Sequence, residues 1–357
     1  MRIMKHPQIT SGVLRSHRRK THRRNTPLRK SLLLALLCLL SLPAMPQIAR
    51  QAKNGIIITR RGGHSRAMEP VRGVVTGGGD YAGALNRYHE ALGPDVRIYS
   101  MLIPTAVEFY CPPECASWSN REKPVIENIN SRFSPDITVV DAYGVLSAHL
   151  GEQIYARTDH HWLPLGAYYC AEAFAQAAGV PFLDLSNYEA RTVHQFVGTM
   201  AKFSGDASVR QDPEEFIYHV PLDSNYVTTY VGHTLGKNRA VTGLTDPFDG
   251  PFFLTYKDGS SQAYCTFMGG DTRTTHVHTT TGNGRRLLII KDSYGNALPG
   301  YLFHSFDDIY VVDFRYFQKN IVAYAREKGI TDLLFANNLQ HAYAATTTRY
   351  FLSMLNK

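Results

Sequence analysis

Residues 287–296 read LLIIKDSYGN, and this stretch decides the fold. Consecutive large apolar residues from Leu287 to Ile290 predict a short strand that is buried on both faces. The polar residues and glycine that follow predict a tight turn, which carries Ser293 directly beyond the strand. A strand of this kind is typical of a parallel sheet covered by helices on both sides.

Two further apolar runs, residues 308–312 and 332–336, follow at intervals of about 20 residues. Together with residues 287–290, they predict three adjacent parallel strands joined by crossover connections. Ligands bind beyond the carboxyl ends of parallel strands, so the side chains after each run are candidates for a site. These side chains are Ser293, Asp313 with Arg315, and Asn337 with Asn338.

The chain upstream alternates between helical and strand patterns. Apolar residues recur at helical spacing over residues 81–92, 121–133 and 168–178, while residues 96–103 and 137–140 are short apolar runs. This alternation predicts one α/β domain over residues 67–357 with a mostly parallel sheet. Residues 190–285 are rich in Thr, Gly, Tyr and Asp instead, and they predict a β-rich insertion.

The N-terminal residues carry most of the positive charge. Residues 1–30 contain ten Lys or Arg and no acidic residue, so removing them leaves 28 basic against 30 acidic residues and changes the net charge from +8 to −2. A nearly neutral body gives no reason to expect nucleic-acid binding. The apolar run at residues 31–42 then favours an export signal over residues 1–46, either cleaved or kept as an inner-membrane anchor, with a linker at residues 47–66. A buried N-terminal helix of a cytosolic protein is disfavoured by the ten uncompensated charges.

The cysteines are compatible with a periplasmic or cell-surface location. Cys111 and Cys115 enclose Pro-Pro-Glu, and this short segment closes a small disulfide loop in an oxidising compartment or leaves two free thiols. No second pair of Cys or His stands near them in sequence, so their spacing alone is not a metal signature.

Residues 158–162 read TDHHW and supply the groups that a serine nucleophile needs. A Ser hydroxyl becomes nucleophilic when an imidazole takes its proton and a carboxylate orients that imidazole. We therefore predict that Ser293 attacks an acyl carbonyl, that His161 is the base and that Asp159 orients it. The alternatives are a helix-capping role for Ser293 or Asp159, and His160 as the working imidazole.

These two motifs, TDHHWLPLGA at residues 158–167 and KDSYGNA at residues 291–297, resemble the DHHW family of bacterial exported proteins. That family is similar in turn to the SGNH-like domains of alginate O-acetyltransferases. Over residues 95–357 the resemblance implies an SGNH-hydrolase-like, three-layer α/β fold. It also implies that Asp159 and His161 form the family's Asp-x-His pair and that Ser293 is its nucleophile. Lys291 stands where those relatives have Gly.

Supporting residues follow from the predicted sheet edge. The backbone N–H of Ser293 would donate to the oxyanion, and Asn337, chosen over Asn338, would be a second donor. A helix over residues 294–303 would place the serine at the positive end of its dipole. Arg315 would order the site or meet an anionic substrate group, although a simple salt bridge explains it equally well.

A metal site is the competing interpretation of the histidines. Asp159, His160 and His161, with His276 and His278, offer oxygen and nitrogen ligands. Adjacent histidines rarely reach one ion from extended backbone, and the Thr-rich surroundings of His276 are equally typical of a solvated strand face. We therefore expect no metal and no cofactor.

The expected function is transfer of an acyl group to a bacterial surface or periplasmic polysaccharide through an acyl-serine intermediate, as an O-acetyltransferase. The resemblance implies a membrane O-acyltransferase partner that supplies the acyl donor. A carbohydrate esterase shares the first step and is the nearest alternative. A noncatalytic polysaccharide-binding or assembly protein is the alternative from a different class.

Overall fold

The computed structural model describes residues 48–223 and 225–357. The predicted export signal at residues 1–46 lies outside the described residues. No helix within them is long and apolar enough to cross a membrane. The described residues form one compact unit.

The strands are β1 Ile48–Gln51, β2 Ile57–Arg61, β3 His64–Met68, β4 Arg97–Ile103, β5 Ile137–Val139, β6 Tyr188–Phe196, β7 Glu214–Pro221, β8 Tyr226–Leu235, β9 Val241–Leu244, β10 Phe248–Asp249, β11 Arg273–Thr279, β12 Arg286–Lys291, β13 Asp308–Asp313 and β14 Asp332–Asn338. The α-helices are α1 Gly79–Leu92, α2 Ala106–Tyr110, α3 Lys123–Asn130, α4 Ala142–Ala148, α5 Pro164–Ala178, α6 Thr199–Ser204, α7 Ala207–Arg210, α8 Ile321–Lys328, α9 Leu339–Tyr343 and α10 Ala345–Asn356.

A nine-stranded sheet forms the centre of the molecule, in the order β10-β8-β11-β13-β12-β14-β4-β5, with β9 paired to β8. The strands from β13 to β5 are parallel, and β12 pairs with both β13 and β14. This arrangement confirms the mixed α/β fold with a mostly parallel sheet, and it confirms that the three apolar runs are adjacent parallel strands. The remaining strands join antiparallel at one edge.

Alternate side chains of β12 enter separate hydrophobic cores on the two faces of the sheet. Leu287 and Ile289 pack in one core with residues of α5, while Leu288 and Ile290 pack in the other with residues of α1, α3, α8 and α10. The period-two alternation of a strand explains why all four residues are apolar and fully buried. Helices therefore cover both faces, and the carboxyl ends of the parallel strands are left to form a site.

The predicted β-rich insertion at residues 190–285 does contain strands, but part of it belongs to the main sheet. β8, β10 and β11 extend the sheet beyond β13, and only β6 and β7 form a separate antiparallel pair. Between β6 and β7 the chain forms the short helices α6 and α7. The segment therefore enlarges the domain and does not stand apart from it.

The structure corrects the linker predicted at residues 47–66. Residues 48–68 form a three-stranded antiparallel sheet of β1, β2 and β3 instead. Gly62 and Gly63 both have positive φ, at 58° and 86°, in the tight turn between β2 and β3. A Gly-Gly pair between two strands is a hairpin signal. Ile56 and Ile58 are buried against Met200 and Val209, so tertiary packing stabilises a segment whose surface is basic.

One local prediction differs from the structure, and one open alternative is decided by it. The helix predicted over residues 294–303 is replaced by the short 3₁₀ segments Ser293–Ala297 and Pro299–Tyr301. Pro299 interrupts an α-helix here, because proline lacks the N–H and clashes with the preceding turn. Cys111 and Cys115 are free thiols and not a disulfide, and the Cys111 sulfur lies 3.7 Å from the carbonyl oxygen of Pro112.

Candidate active site

Trp162 fixes the loop that carries Asp159 and His161. Its indole is fully buried, and the indole N–H donates to the carbonyl oxygen of Tyr294 at 2.9 Å and to the hydroxyl of Tyr264 at 3.1 Å. Tyr294 follows Ser293 in sequence, so the indole ties the loop to the serine turn 132 positions downstream. Pro164 then begins α5 at the position where a helix tolerates proline.

The carboxylate, the imidazole and the hydroxyl form a continuous hydrogen-bonded line. Asp159 Oδ1 lies 2.6 Å from His161 Nδ1, and His161 Nε2 lies 2.8 Å from Ser293 Oγ. A carboxylate beside Nδ1 favours the tautomer with its proton there, which leaves Nε2 to accept the serine proton. Asp159 and His161 are buried and Ser293 is half-buried, so the hydroxyl lies at the open end of the line.

The Asp159 carboxylate is held on its other side by Thr199. Asp159 Oδ2 accepts hydrogen bonds from the Thr199 backbone N–H at 2.7 Å and from the Thr199 hydroxyl at 2.8 Å. Burial alone would raise the pKa of the Asp159 carboxyl, but attraction to His161 and the hydrogen bonds from His161 and Thr199 hold that pKa well below its ordinary value. Asp159 is therefore ionised at neutral pH and able to orient the imidazole.

Gly198 allows this close approach, because a Cβ added there would collide with the Asp159 side chain. Both Gly198 and Thr199 belong to the β-rich segment, and no pattern in the sequence marks either as part of a site. A short Gly-Thr pair at the start of a helix is too common to signal a site.

The serine turn is capped by Asp292 and not by Ser293. Asp292 Oδ1 accepts from the backbone N–H of Tyr294 at 2.9 Å, and Oδ2 accepts from the backbone N–H of Asn338 at 2.8 Å. His341 Nδ1 also lies 3.1 Å from Asp292 Oδ2. With the cap supplied by its neighbour, the Ser293 hydroxyl is directed to His161.

Tyr264 covers one face of the His161 ring. The two ring centroids are 3.8 Å apart and the planes are within 6° of parallel. The Tyr264 hydroxyl donates to the carbonyl oxygen of Tyr294 at 2.9 Å and accepts from the Trp162 indole. Tyr264 lies in the 3₁₀ segment Ala263–Thr266, which is distant in sequence from both motifs. No pattern in the sequence marks it as part of the site.

His160 is directed away from the serine. Its Nδ1 lies 2.8 Å from the Thr199 hydroxyl oxygen, and its carbonyl oxygen accepts a hydrogen bond from the Tyr294 hydroxyl. Burial and repulsion by His161 lower the pKa of His160 to about 4, so its ring is neutral at neutral pH. The geometry therefore favours His161 over His160 as the working imidazole.

Asn337 is not brought to Ser293. Its Oδ1 accepts a hydrogen bond from the Tyr81 hydroxyl at 2.9 Å. Tyr81 belongs to α1 and lies in the core that contains Leu288 and Ile290. Leu333 and Phe335 of the same strand face that core, so the alternation of β14 places Asn337 on the face away from the serine. The position of Asn337 at the carboxyl end of the strand was predicted correctly. The face of the sheet to which its side chain points could not be predicted, because it changes with every residue along the strand.

Arg315 belongs to a cluster of ion pairs behind the serine turn. Its guanidinium lies 2.9 Å from Asp271 and bonds both oxygens of Asp313. Lys291 Nζ lies 2.8 Å from Asp313 and 3.2 Å from Asp271. Lys291 is thus a buried cation that neutralises two carboxylates directly before Asp292. Arg315 contributes to this cluster and makes no direct bond to Ser293 within the described residues.

Asp159, His160 and His161 are also the residues that could hold a metal, since one ligand atom of each lies within 4.8 Å of the others. Both nitrogens of His161 already face Asp159 and Ser293, so an ion would have to displace the line described above. His276 and His278 both contact Asp308, at 2.8 and 2.9 Å. Asp308 begins β13, so this pair lies at the opposite end of the strand from the serine turn.

Comparison with known proteins identifies the family. The profile of the DHHW protein family matches residues 76–312. The chain belongs to the DHHW family. A DHHW family protein from Eubacterium siraeum, whose crystal structure is known, shares 35% sequence identity with this DHHW protein. The two structures match with a TM-score of 0.78 over 87% of this chain and 99% of that chain. The resemblance seen in the two motifs is thereby confirmed.

More distant structures share the fold of this DHHW protein. Bacillus cereus PatB1 matches with a TM-score of 0.64 and 17% identity, over 84% of this chain and 99% of that chain. PatB1 has also been solved with a sulfonyl adduct, and that structure matches with a TM-score of 0.63 and 16% identity over 85% of this chain and 98% of that chain. At this level of identity the likeness concerns the fold alone. A comparison with curated proteins finds no match.

Proposed function

We propose that this DHHW protein is a serine-dependent acyltransferase that forms an acyl ester on Ser293. The observation that carries the proposal is the unbroken line from Asp159 through His161 to Ser293, with 2.6 and 2.8 Å between the bonded atoms. Hydrogen-bond contact between nucleophile and base, and between base and orienting carboxylate, is the geometry that activates a hydroxyl.

In the proposed first step the acyl group passes from the donor's oxygen to Ser293 Oγ, and the serine proton passes to that oxygen through His161. Ser293 Oγ attacks the carbonyl carbon of the acyl donor while its proton passes to His161 Nε2. The tetrahedral intermediate then expels the donor's oxygen, which takes the proton from the imidazolium. In the second step an acceptor hydroxyl attacks the acyl carbon and gives its proton to His161. The tetrahedral intermediate then expels Ser293 Oγ, which takes that proton from the imidazolium.

The developing oxyanion requires a donor close to Ser293. The backbone N–H of Tyr294 is engaged by Asp292, and the N–H of Gly295 bonds the carbonyl oxygen of Asp292. The Ser293 N–H is the group we assign to this role, since it lies on the turn that carries the nucleophile. Asn337 is not assigned, because its amide is on the other face of β14.

The acceptor we propose is a hydroxyl of a polysaccharide at the bacterial surface or in the periplasm, which makes the protein an O-acetyltransferase. Support comes from the resemblance of its motifs to the alginate O-acetyltransferases and from an N-terminal sequence typical of export. The same resemblance supports a membrane O-acyltransferase as the source of the acyl donor.

The test is to incubate the full chain with 4-nitrophenyl acetate and to locate any acetyl group by peptide mass spectrometry. We expect a burst of nitrophenolate and acetylation of Ser293, with neither in Ser293→Ala. Retained wild-type acetylation of Ser293 in His161→Gln would refute the role of the base. Polysaccharide binding without any adduct from several acyl donors would favour the noncatalytic alternative. Turnover to free acetate in the presence of polysaccharide acceptors would favour the esterase.

A further inference from the structure

A cavity of about 450 Å³ lies apart from the serine site, between the β2–β3 hairpin and the segment that follows α2. Its cationic wall contains Arg61, His64, Arg66 and Arg157. Arg61 and His64 are cross-strand partners, and Arg66 is the partner of Thr59, which also lines the cavity. The alternation of the two strands therefore directs these side chains to one face.

The Arg66 guanidinium is half-buried and makes no contact with a carboxylate of the described residues. Its hydrogen bonds within the described residues go to the backbone carbonyls of Tyr155 and Ala156, at 3.3 and 2.8 Å. The guanidinium carbon lies 3.9 Å from the centroid of the Tyr110 ring, which holds the planar group at the cavity wall. Both hydrogen bonds use Nη1, so Nε and Nη2 remain to meet a ligand.

The nearby carboxylates are already engaged by other groups. Asp212 pairs with Arg157 at 2.7 Å and with His64 at 3.0 Å. Glu214 accepts the backbone N–H groups of Arg157 and Thr158. Two carboxylates thus stand against three guanidinium groups, which leaves one net positive charge, and within the described residues neither acid contacts Arg61 or Arg66. Burial lowers the pKa of the Arg66 guanidinium, as expected for a cation short of compensation.

Apolar residues also line the cavity, among them Phe109, Pro112 and Pro113. Two guanidinium groups without a carboxylate contact, beside apolar residues, fit a phosphate that carries an organic group, because its oxygens can accept from both groups. A carboxylate would satisfy only one guanidinium fork. We propose that this cavity binds a phosphate ester, with Arg66 and Arg61 contacting the phosphate and the apolar wall contacting the organic part. The site goes beyond the acyl-transfer proposal and does not depend on it.

The phosphate could belong to a small soluble ester or to a phospholipid headgroup, since the chemistry is the same. The lipid source is relevant because β1 starts only a few positions after the apolar run at residues 31–42. Glycerol 3-phosphate represents the soluble source, and phosphatidylglycerol vesicles, compared with phosphatidylcholine vesicles, represent the lipid source.

The experiment measures binding of inorganic phosphate and glycerol 3-phosphate to the full chain in neutral detergent by calorimetry. Arg61→Gln is the deciding variant, because its side chain is exposed and its loss should not impair folding. Arg66→Gln removes the central cation, and circular dichroism checks its fold. Arg60→Gln is the matched control, since Arg60 is the exposed neighbour on the other face of β2.

We expect each cavity variant to weaken glycerol 3-phosphate binding about tenfold, because each removes a charge-assisted contact to the phosphate. Arg60→Gln should bind as the wild type does. If Arg61→Gln also lowers binding to phosphatidylglycerol vesicles, the phosphate is a lipid headgroup; if vesicle binding is unchanged, the ligand is a soluble ester. Absence of any difference between Arg61→Gln and Arg60→Gln, with all three probes, would overturn the proposal.

Discussion

Replacing Tyr264 separates two effects that the structure combines in one side chain. The ring stacks on His161 at 3.8 Å, and the hydroxyl bonds the Trp162 indole and the Tyr294 carbonyl. When Ser293 transfers its proton, His161 becomes an imidazolium, which a buried aromatic face stabilises by about 1–2 kcal/mol through a cation–π contact. Only this difference between the neutral and charged ring affects the rate.

Tyr264→Leu should therefore slow acylation of Ser293 about 5–30-fold. Tyr264→Phe keeps the stacked ring, so its acylation rate should stay within about threefold of wild type, while the loss of two hydrogen bonds should lower the free energy of unfolding by about 1–2 kcal/mol. The rate is read from the nitrophenolate burst with 4-nitrophenyl acetate, and the stability from urea unfolding. Equal rate losses in the two variants would refute the reasoning, because the stack would then contribute nothing to the charged state.

Other perturbations test the rest of the site and its surroundings. Asp159→Asn should reduce the burst rate by about 10⁴ with the fold retained, because an amide no longer orients the productive tautomer; a loss below tenfold would contradict the assigned role. Gly198→Ala should slow acylation by displacing the Asp159 carboxylate, whereas the same substitution at Gly205, where an added Cβ meets no atom within 4 Å, should affect stability alone. Lys291→Met should lower the free energy of unfolding by about 3 kcal/mol, because it removes one of the two cations that compensate the buried Asp313 carboxylate and leaves Arg315 alone; an unchanged urea midpoint would show that Arg315 suffices. In the folded state the pKa of His160 is lowered from 6.5 to about 4, so the unfolded chain protonates this ring at a higher pH than the folded chain does. The free energy of unfolding should therefore fall by on the order of 2–3 kcal/mol as the pH drops from about 6.5 towards 4. His160→Gln should flatten that part of the stability profile, measured by urea unfolding at each pH.

The central sheet and the side chains that form the hydrogen-bonded line were predictable because they depend on short-range patterns. Leu287 to Ile290 shows continuous apolar character, and the motif around His161 places a carboxylate beside an imidazole. Both signals are local to a few residues. The pairing of β12 with β13 and β14 followed from their spacing and from the handedness of parallel crossovers.

The supporting residues were not predictable, because they depend on contacts between distant segments. Thr199 and Tyr264 reach the site only because the β-rich segment folds back over the DHHW loop. Asn337 was assigned to the correct strand end but to the wrong face, since the alternation of side chains shifts with a single residue of register. The β2–β3 hairpin was not predicted, because the basic and polar residues on both sides of Gly62-Gly63 were interpreted as a linker and not as two strands.

The position of β14 has a consequence for how the protein matures. β14 is the last strand in the chain, yet it lies between β12 and β4 and pairs with both. Until residues 332–338 have been synthesised, and translocated if the chain is exported, two apolar strand edges have no neighbour, and such edges invite aggregation and degradation. A chain that stops at about residue 330 would thus contain Asp159, His161 and Ser293, and we expect quality-control proteases to remove it before these residues could come together.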